Sequence, residues 1–438
     1  MKPSPALLAL LISPYLLAYN LEEIVALSED NDPGYKQQVL KLEAGQLAEK
    51  ITRGKLLPSI SAEALGSNYA TDNKKTATSS SLKISASLPI LNTKNHADFK
   101  LSRIETNIAK YQLKSFKTSH KLEIITSYFN TLVAQSAYNS QLATLFLYEK
   151  IYEEALEMEK SGLKSTADTL VSKSSLDLGR LDVVEAANKL DQAKNTLEGK
   201  VDSHITSLSQ YQGTNIPQLS PPSLTEMVEH ALSSGTRAMK SELAFKRASA
   251  QLNQAKTSFL PTVTLSISAS QSLGKLHHGF MDKEHRNLTA YLVANANLFS
   301  GMADYHRSKK ALLNYEAAGY AVQNERYAIK LSVEKAYHNF ISAQHRVKAS
   351  LSSMNSAKAS LEGIRERNLV GDASELDLMQ AITRSQKADE RYYSAIYTLL
   401  SSYLHLKASA SMLTDKDITI VNQFLSQKIA LLELTDLS

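Results

Sequence analysis

Two stretches of this chain, Asn95 to Lys160 and Met302 to Asn368, each run in a helical pattern for more than sixty residues without a proline. At 1.5 Å per residue, each predicts a helix about 100 Å long. No compact globular domain accommodates such a helix, so the pair must extend as a tube, rod or stalk. In the second stretch Ile329, Val333, Ala336, Phe340, Ala343, Val347, Ser350, Met354, Ala357, Leu361 and Ile364 recur at alternating steps of four and three. That is the 3.5-residue period of a coiled coil. Alanine and serine at several of these places permit close helix approach but bury little per residue.

The two stretches are corresponding parts of a duplicated unit. Asn20 to Glu23 (NLEE) and Ser223 to Glu226 (SLTE) open similar segments that run without a gap to Leu57-Pro58 and Leu260-Pro261, 203 residues apart. Further on the offset becomes 209, where Tyr128, Asn130, Ala134 and Gln135 match Tyr337, Asn339, Ala343 and Gln344. At that same offset Gly162, Ser165 and Asp168 match Gly371, Ser374 and Asp377. Each unit starts with a helix of moderate length, about Asp32 to Lys55 and Gly235 to Ser258, and continues through the Leu-Pro step into two alternating segments. Leu82, Ile84, Ala86 and Leu88 alternate with Ser81, Lys83, Ser85 and Ser87, while Val263, Leu265, Ile267 and Ala269 alternate with threonine and serine. Period two marks strands with one apolar and one polar face. Weaker partner strands follow Ile60, Ala62 and Ala64 in the first unit, and Ala290, Leu292, Ala294, Ala296 and Leu298 in the second.

Gly-x-x-Ser-x-x-Asp occurs at the end of each long helix. Glycine takes the left-handed conformation that ends a helix, and Ser-x-x-Asp is a capping box for the next one. Gly162 with Ser165 and Asp168, and Gly371 with Ser374 and Asp377, therefore each predict a tight helical hairpin at the far end of a rod. On this reading alone the aspartates are caps.

The N-terminus, MKPSPALLALLISPYLLAYN, has one lysine and an apolar run from Ala6 to Ala18 broken only by Ser13 and Pro14. So short a run is a signal-peptide core rather than a membrane-spanning helix, with Ala18 expected as its last residue. No later segment has the roughly 18 consecutive apolar residues of a transmembrane helix, so a mature form that enters a membrane must do so as a barrel. Lysine plus arginine outnumber aspartate plus glutamate 49 to 44, and the basic residues are interspersed with acids. That argues against a nucleic-acid surface. With no cysteine, the chain has no disulfide, thiolate metal site or cysteine nucleophile.

Tandem units of helix, Leu-Pro, two strands, very long helix, Gly-x-x-Ser-x-x-Asp and helix resemble the TolC family of outer-membrane efflux channels. The tail LTDKDITIVNQFL is also similar to the short helical end of the family's namesake. The resemblance covers essentially the whole mature chain. It implies a mainly α chain with a small β part, forming a homotrimer whose subunits each give four strands to a shared 12-stranded outer-membrane barrel. An α-helical coiled-coil barrel would continue from it across the periplasm. The implied organisation is a signal peptide (1–18), a first repeat (19–218), a second repeat (219–410) and a C-terminal tail (411–438) packing near the equatorial region. Four alternating strands are too few to close a barrel, so their edges call for partner chains. Three copies of Asp168 and Asp377 would also crowd six carboxylates around the periplasmic mouth, a ring that selects cations.

The chain departs from the best-known family members near the second glycine. Their motif resembles Tyr-x-x-Gly-x-Arg followed by Val-Asp-Val-Leu-Asp, and the tyrosine and arginine help lock the inner helices shut. Asn368, Ala373 and, at the second aspartate, Gln380 stand in those places here, so the lock uses other groups, Arg365 or Arg367, or is looser.

There is no phosphate-binding glycine loop, His-Glu-x-x-His or Gly-x-Ser-x-Gly, so no catalytic residue, cofactor or resident metal is expected. His277, His278, Met281 and His285 cluster in an expected external loop, a spacing that fixes no coordination geometry. The expected function is a passive outer-membrane exit duct for efflux or type I secretion. A periplasmic adaptor and an inner-membrane transporter would recruit and energise it, and outer-membrane lipid would surround its strands. The alternative is a non-conducting structural coiled-coil protein of the envelope, against which the alternating strand pairs argue.

Overall fold

The computed structural model describes residues 19–71, 75–211, 213, 216–275, 285–425 and 427–430. The first repeat contains α1 (Leu21–Asn31), α2 (Pro33–Gly54), β1 (Ser59–Thr71), β2 (Lys75–Leu91), α3 (Thr93–Lys160) and α4 (Thr166–Val201), and a short strand β3 (Ser207–Gln210) follows. The second repeats the order with α5 (Leu224–Ser233), α6 (Thr236–Lys256), β4 (Thr262–Lys275), β5 (His285–Asn295), α7 (Ala303–Leu369) and α8 (Glu375–Ser409). The chain continues into α9 (Asp415–Asn422) and β6 (Gln427–Ala430).

The repeated openings are capping boxes in both halves. The Asn20 side chain accepts from the Glu23 N–H at 2.9 Å while Glu23 accepts from the Asn20 N–H at 2.9 Å, and Ser223 and Glu226 make the same exchange at 3.3 and 3.1 Å. The helix of moderate length starts where the sequence pattern places it, at Asp32 and Pro33, and a separate short helix precedes it. Asp32 ends α1 by donating its N–H to the Ser28 carbonyl, and its carboxylate accepts from the Tyr35 N–H at 2.7 Å. With Pro33 supplying the first helical φ, one acid both closes α1 and caps α2.

Two compact units emerge: residues up to Lys36, 116–235 and from 328 onward form one, and residues 37–115 and 236–327 the other. The division falls inside α3 and α7, so each repeat contributes to both units.

In the second unit β1, β2, β4 and β5 form one antiparallel sheet in that order, with β2 and β4 joining the repeats. The register aligns Ile60, Ala86, Ile267 and Ala290 in one row, and Ala62, Ile84, Ala269 and Leu288 in the next. Rows on the opposite face read Ser61, Ser85, Ser268, Thr289 and Glu63, Lys83, Ser270, Asn287. Alternation in four separate strands thus becomes one apolar and one polar face. Ile60, Ile84, Ile267 and Leu288 are exposed on the single chain. The ladder stops earlier than the pattern predicts: β5 ends at Asn295, opposite Thr262, leaving Ala296 and Leu298 outside it. The next residue on β4 would be Pro261, which has no N–H to donate.

In the first unit, burial along α7 follows the predicted heptads. Ile329, Val333, Phe340, Ala343 and Val347 are buried, Ala336, Ser350, Met354, Ala357, Leu361 and Ile364 are half-buried, and most residues between them are exposed. Tyr128, Phe129 and Leu132 of α3 are buried, as are Leu197 of α4 and Tyr397 of α8. Phe129 stacks on Tyr397 with centroids 5.9 Å apart, and the Tyr128 hydroxyl donates to the Ser209 carbonyl at 2.6 Å. β3 pairs antiparallel with β6, and Leu208 also makes a parallel bridge with Tyr19.

Candidate functional site at the hairpin tips

The two predicted hairpins form, and their turns share one backbone geometry. The Gly162 N–H donates to the Glu159 carbonyl at 2.9 Å and the Leu163 N–H to Met158 at 2.8 Å. In the second, Gly371 donates to Asn368 at 3.1 Å and Asp372 to Arg367 at 2.9 Å. These are paired Schellman bonds, which require a left-handed residue, and φ is +72° at Gly162 and +82° at Gly371. A Cβ on either glycine would meet nothing within 4 Å, so conformation alone demands glycine there.

Each serine then caps the next helix. The Asp168 N–H donates to the Ser165 hydroxyl at 3.2 Å and that hydroxyl donates to the Asp168 carboxylate at 2.7 Å. Ser374 repeats both contacts with Asp377, at 2.6 Å to the carboxylate and 3.2 Å from the N–H. Asp377 additionally accepts from the Ser374 N–H at 3.1 Å, so the full reciprocal box is present at the second hairpin. Hydrogen bonds from the Ser374 hydroxyl and N–H, with Arg367 and Arg384 nearby, hold the Asp377 carboxyl below its ordinary pKa. Asp377 is exposed and Asp168 half-buried, and each is tied to the serine of its own motif.

The hairpins are joined by residues that the motif does not include. Lys164, in the first turn, forms an ion pair with Glu375, the first residue of α8. Ser172 of α4 donates its hydroxyl to the other Glu375 oxygen at 3.2 Å. The Glu375 side chain is only 1% exposed and that of Lys164 15%. Tyr148 of α3, Leu176 of α4 and Leu378, Met379 and Ile382 of α8 form a buried apolar cluster that Leu361 and Ile364 of α7 extend. The Tyr148 hydroxyl lies 3.2 Å from that of Thr383. Glu375 and Asp377 share the first turn of α8, but a two-residue step at 3.6 residues per turn places them on nearly opposite sides. The inward acid therefore has no signal in local sequence; it reads as one more favourable charge at a helix start.

Arg367 does not reach the first hairpin. Its guanidinium folds back on Asp372 in its own turn, with Nε 2.9 Å from the carboxylate and Nη2 3.0 Å from the Asp372 carbonyl. Asn368 likewise donates its amide to the Ala373 carbonyl at 3.1 Å. These side chains brace the turn that contains them, while Lys164 with Glu375, Ser172 with Glu375 and Tyr148 with Thr383 join one hairpin to the other. The histidine cluster of the sequence lies outside this description, because residues 276–284 and the His285 side chain are not among the described parts. Among the described residues, no helix is long and apolar enough to cross a membrane.

The family model for outer membrane efflux protein matches residues 25–199 and 228–411. Outer membrane protein TolC of Escherichia coli is 20% identical over 94% of this chain and 86% of its own length. Alkaline protease secretion protein AprF of Pseudomonas aeruginosa is also 20% identical, over 94% of this chain and 88% of its own. Among solved structures, the Campylobacter jejuni CmeC outer membrane channel matches with a TM-score of 0.79 at 17% identity, covering 93% of this chain and 90% of that one. CusC matches with a TM-score of 0.78 at 16% identity, covering 90% of this chain and 93% of that one.

Proposed function

Because this chain belongs to the outer membrane efflux protein family, we propose that it forms the outer-membrane exit duct of a tripartite efflux pump or type I secretion system. It is an outer-membrane channel protein extending into the periplasm, and not an enzyme. In the proposed assembly three copies close one 12-stranded barrel, and an adaptor and an inner-membrane transporter engage the helical part and supply the energy.

The observation that carries this reading is the four-stranded sheet, with an exposed apolar face, a polar face and β1 and β5 at its two ends. End strands offer unpaired backbone groups, which a bilayer core cannot solvate, so closure by further copies satisfies them. The apolar face then meets lipid and the serine-rich face lines a wet lumen. A structural rod without a pore would have no use for a sheet with two such faces. In the same assembly Asp168 and Asp377 of three subunits would line the periplasmic mouth as well as cap their helices. The test is to purify the protein in detergent and reconstitute it in a planar bilayer, with a trimer that conducts ions as the expected result. A monodisperse monomer retaining its sheet signal would sink the shared barrel, and a trimer without conductance would favour the rod.

A further inference from the structure

We propose that the chain carries a site for an anionic phospholipid where its sheet meets its helices, with Lys94, Arg307 and Lys310 holding the headgroup phosphate. The proposal rests on the duct reading above, which seats the sheet in the outer membrane and so puts this junction at the periplasmic leaflet. The first observation is a cleft of about 600 Å³ within the second unit, where the start of α3, the end of α6 and the start of α7 come together. The three cations line it beside neutral hydrogen-bonding groups such as Gln251, Ser258 and Asn314, and no acid does. Arg307 and Lys310 stand three residues apart on α7 and so share one side of it, while Lys94 comes from the first turn of α3.

The second observation is that these charges are not neutralised within the protein. Residues 91–100, 251–260 and 297–314 contain Lys94, Lys100, Lys256, Arg307, Lys309 and Lys310, against only two acids, Asp98 and Asp304. Both acids are engaged: Asp98 accepts from the Gln254 amide at 2.5 Å, and the buried Asp304 pairs with Arg307 and accepts from the Asn297 amide at 3.4 Å. The contact with Asp304 uses one nitrogen of Arg307. It leaves the other donors of the fork, on a side chain 61% exposed, for a phosphate. Among the described residues Lys94 and Lys310 have no ion-pair partner, and both are exposed.

The third observation selects a lipid over a free phosphate. On the sheet side of these cations the chain places large, exposed apolar residues: Leu91, Phe259, Leu260, Leu298, Phe299 and Met302. Leu91 stands three residues before Lys94, Phe259 directly after Ser258, and Met302 five residues before Arg307. From sheet to helix, an apolar band therefore gives way to a basic one, the order in which a leaflet presents acyl chains and anionic headgroups. Lipid would cover the apolar band, which water would leave bare. Phosphate taken from solution would use the cations and have no need of the band.

The test titrates full-length protein in mild detergent with phosphatidylglycerol or phosphatidylcholine, and native mass spectrometry counts the bound lipid. Both lipids carry a phosphate, but only phosphatidylglycerol has a net charge. Wild type should bind phosphatidylglycerol at least about tenfold more tightly, since each basic residue near an anionic surface contributes about fivefold. Lys94→Gln with Lys310→Gln should lose most of that preference, and Lys94→Arg with Lys310→Arg should keep it. Lys41→Gln with Lys173→Gln, which removes two exposed lysines from α2 and α4, should keep it too. If the glutamine double variant does not assemble, Lys310→Gln alone, expected to lose about fivefold, takes its place. No preference in wild type, an equal loss in the α2 and α4 variant, or displacement of the lipid by inorganic phosphate at equal concentration would overturn the lipid site. Planar-bilayer conductance of the same preparations reports on the duct separately. Trimers that conduct but show no lipid preference overturn the site alone, and preparations that never conduct overturn the duct reading and the site with it.

Discussion

Asp168 and Asp377 cap their helices, a task that asparagine could share, and the proposed duct would give them an electrostatic one that it could not. Asparagine still accepts a hydrogen bond at a helix start, so the Asp168→Asn, Asp377→Asn double variant should fold and assemble. If the two side chains line the mouth, the reversal potential in a salt gradient should lose most of its cation preference, with Asp377 the larger contributor. Unaltered selectivity in an intact trimer would leave both residues as caps only. The Asp377 carboxyl titrates below its ordinary value, so its contribution to the second cap is complete above the ordinary carboxylate range and disappears as pH falls through the depressed value. This pair of aspartates was legible because Gly-x-x-Ser-x-x-Asp is a local device: its φ angle and its bonds span only a few residues. Glu375 was not legible, because its partner is 211 positions away and its burial depends on which side of α8 meets the first hairpin.

Along α4, Gly179 shows how helices in this fold approach one another. A Cβ there would stand 2.8 Å from the Tyr148 ring of α3, so the absent side chain makes room for the tyrosine. Gly179→Ala would gain about 1 kcal/mol of helix propensity, but overpacking costs typically about 1–3 kcal/mol. The expected net result is a lower thermal midpoint, readable by circular dichroism; a higher one would mean that Tyr148 moves aside freely. The sheet offers a paired test of its faces. Ile84→Arg places a charge on the apolar face and should cost about 2–4 kcal/mol if the residue sits near the bilayer midplane, visible as lost assembly. Ser85→Arg, one residue along on the polar face, should assemble and lower cation conductance. Equal effects of the two would refute the assigned faces. The elements themselves were readable because their periods are strong: heptads mark α7 and alternation marks β2 and β4. Their ends were less so, since β5 stops where its partner reaches a proline.

For the whole molecule, the duplication fixed the order of elements, and the structure adds the way in which the repeats share them. Each repeat sends its strands to one unit and its hairpin to the other, an arrangement that tandem sequence similarity cannot reveal. The duct reading makes a topological prediction that suits a chain without cysteine. An impermeant thiol reagent on intact cells should label Lys75→Cys, at the start of β2, and spare Gly371→Cys in the periplasm. The opposite pattern would reverse the orientation.

The small ladder around β3 bears on how this protein is made. β3 pairs with Tyr19 through Leu208 and with β6 at residues 427–430, so three segments distant in sequence meet in one strip of backbone bonding. Such non-local contacts form only after long loops have closed. A chain leaving the ribosome cannot complete this strip until residues 427–430 have appeared, and a product that stops before them leaves one side of β3 without its partner.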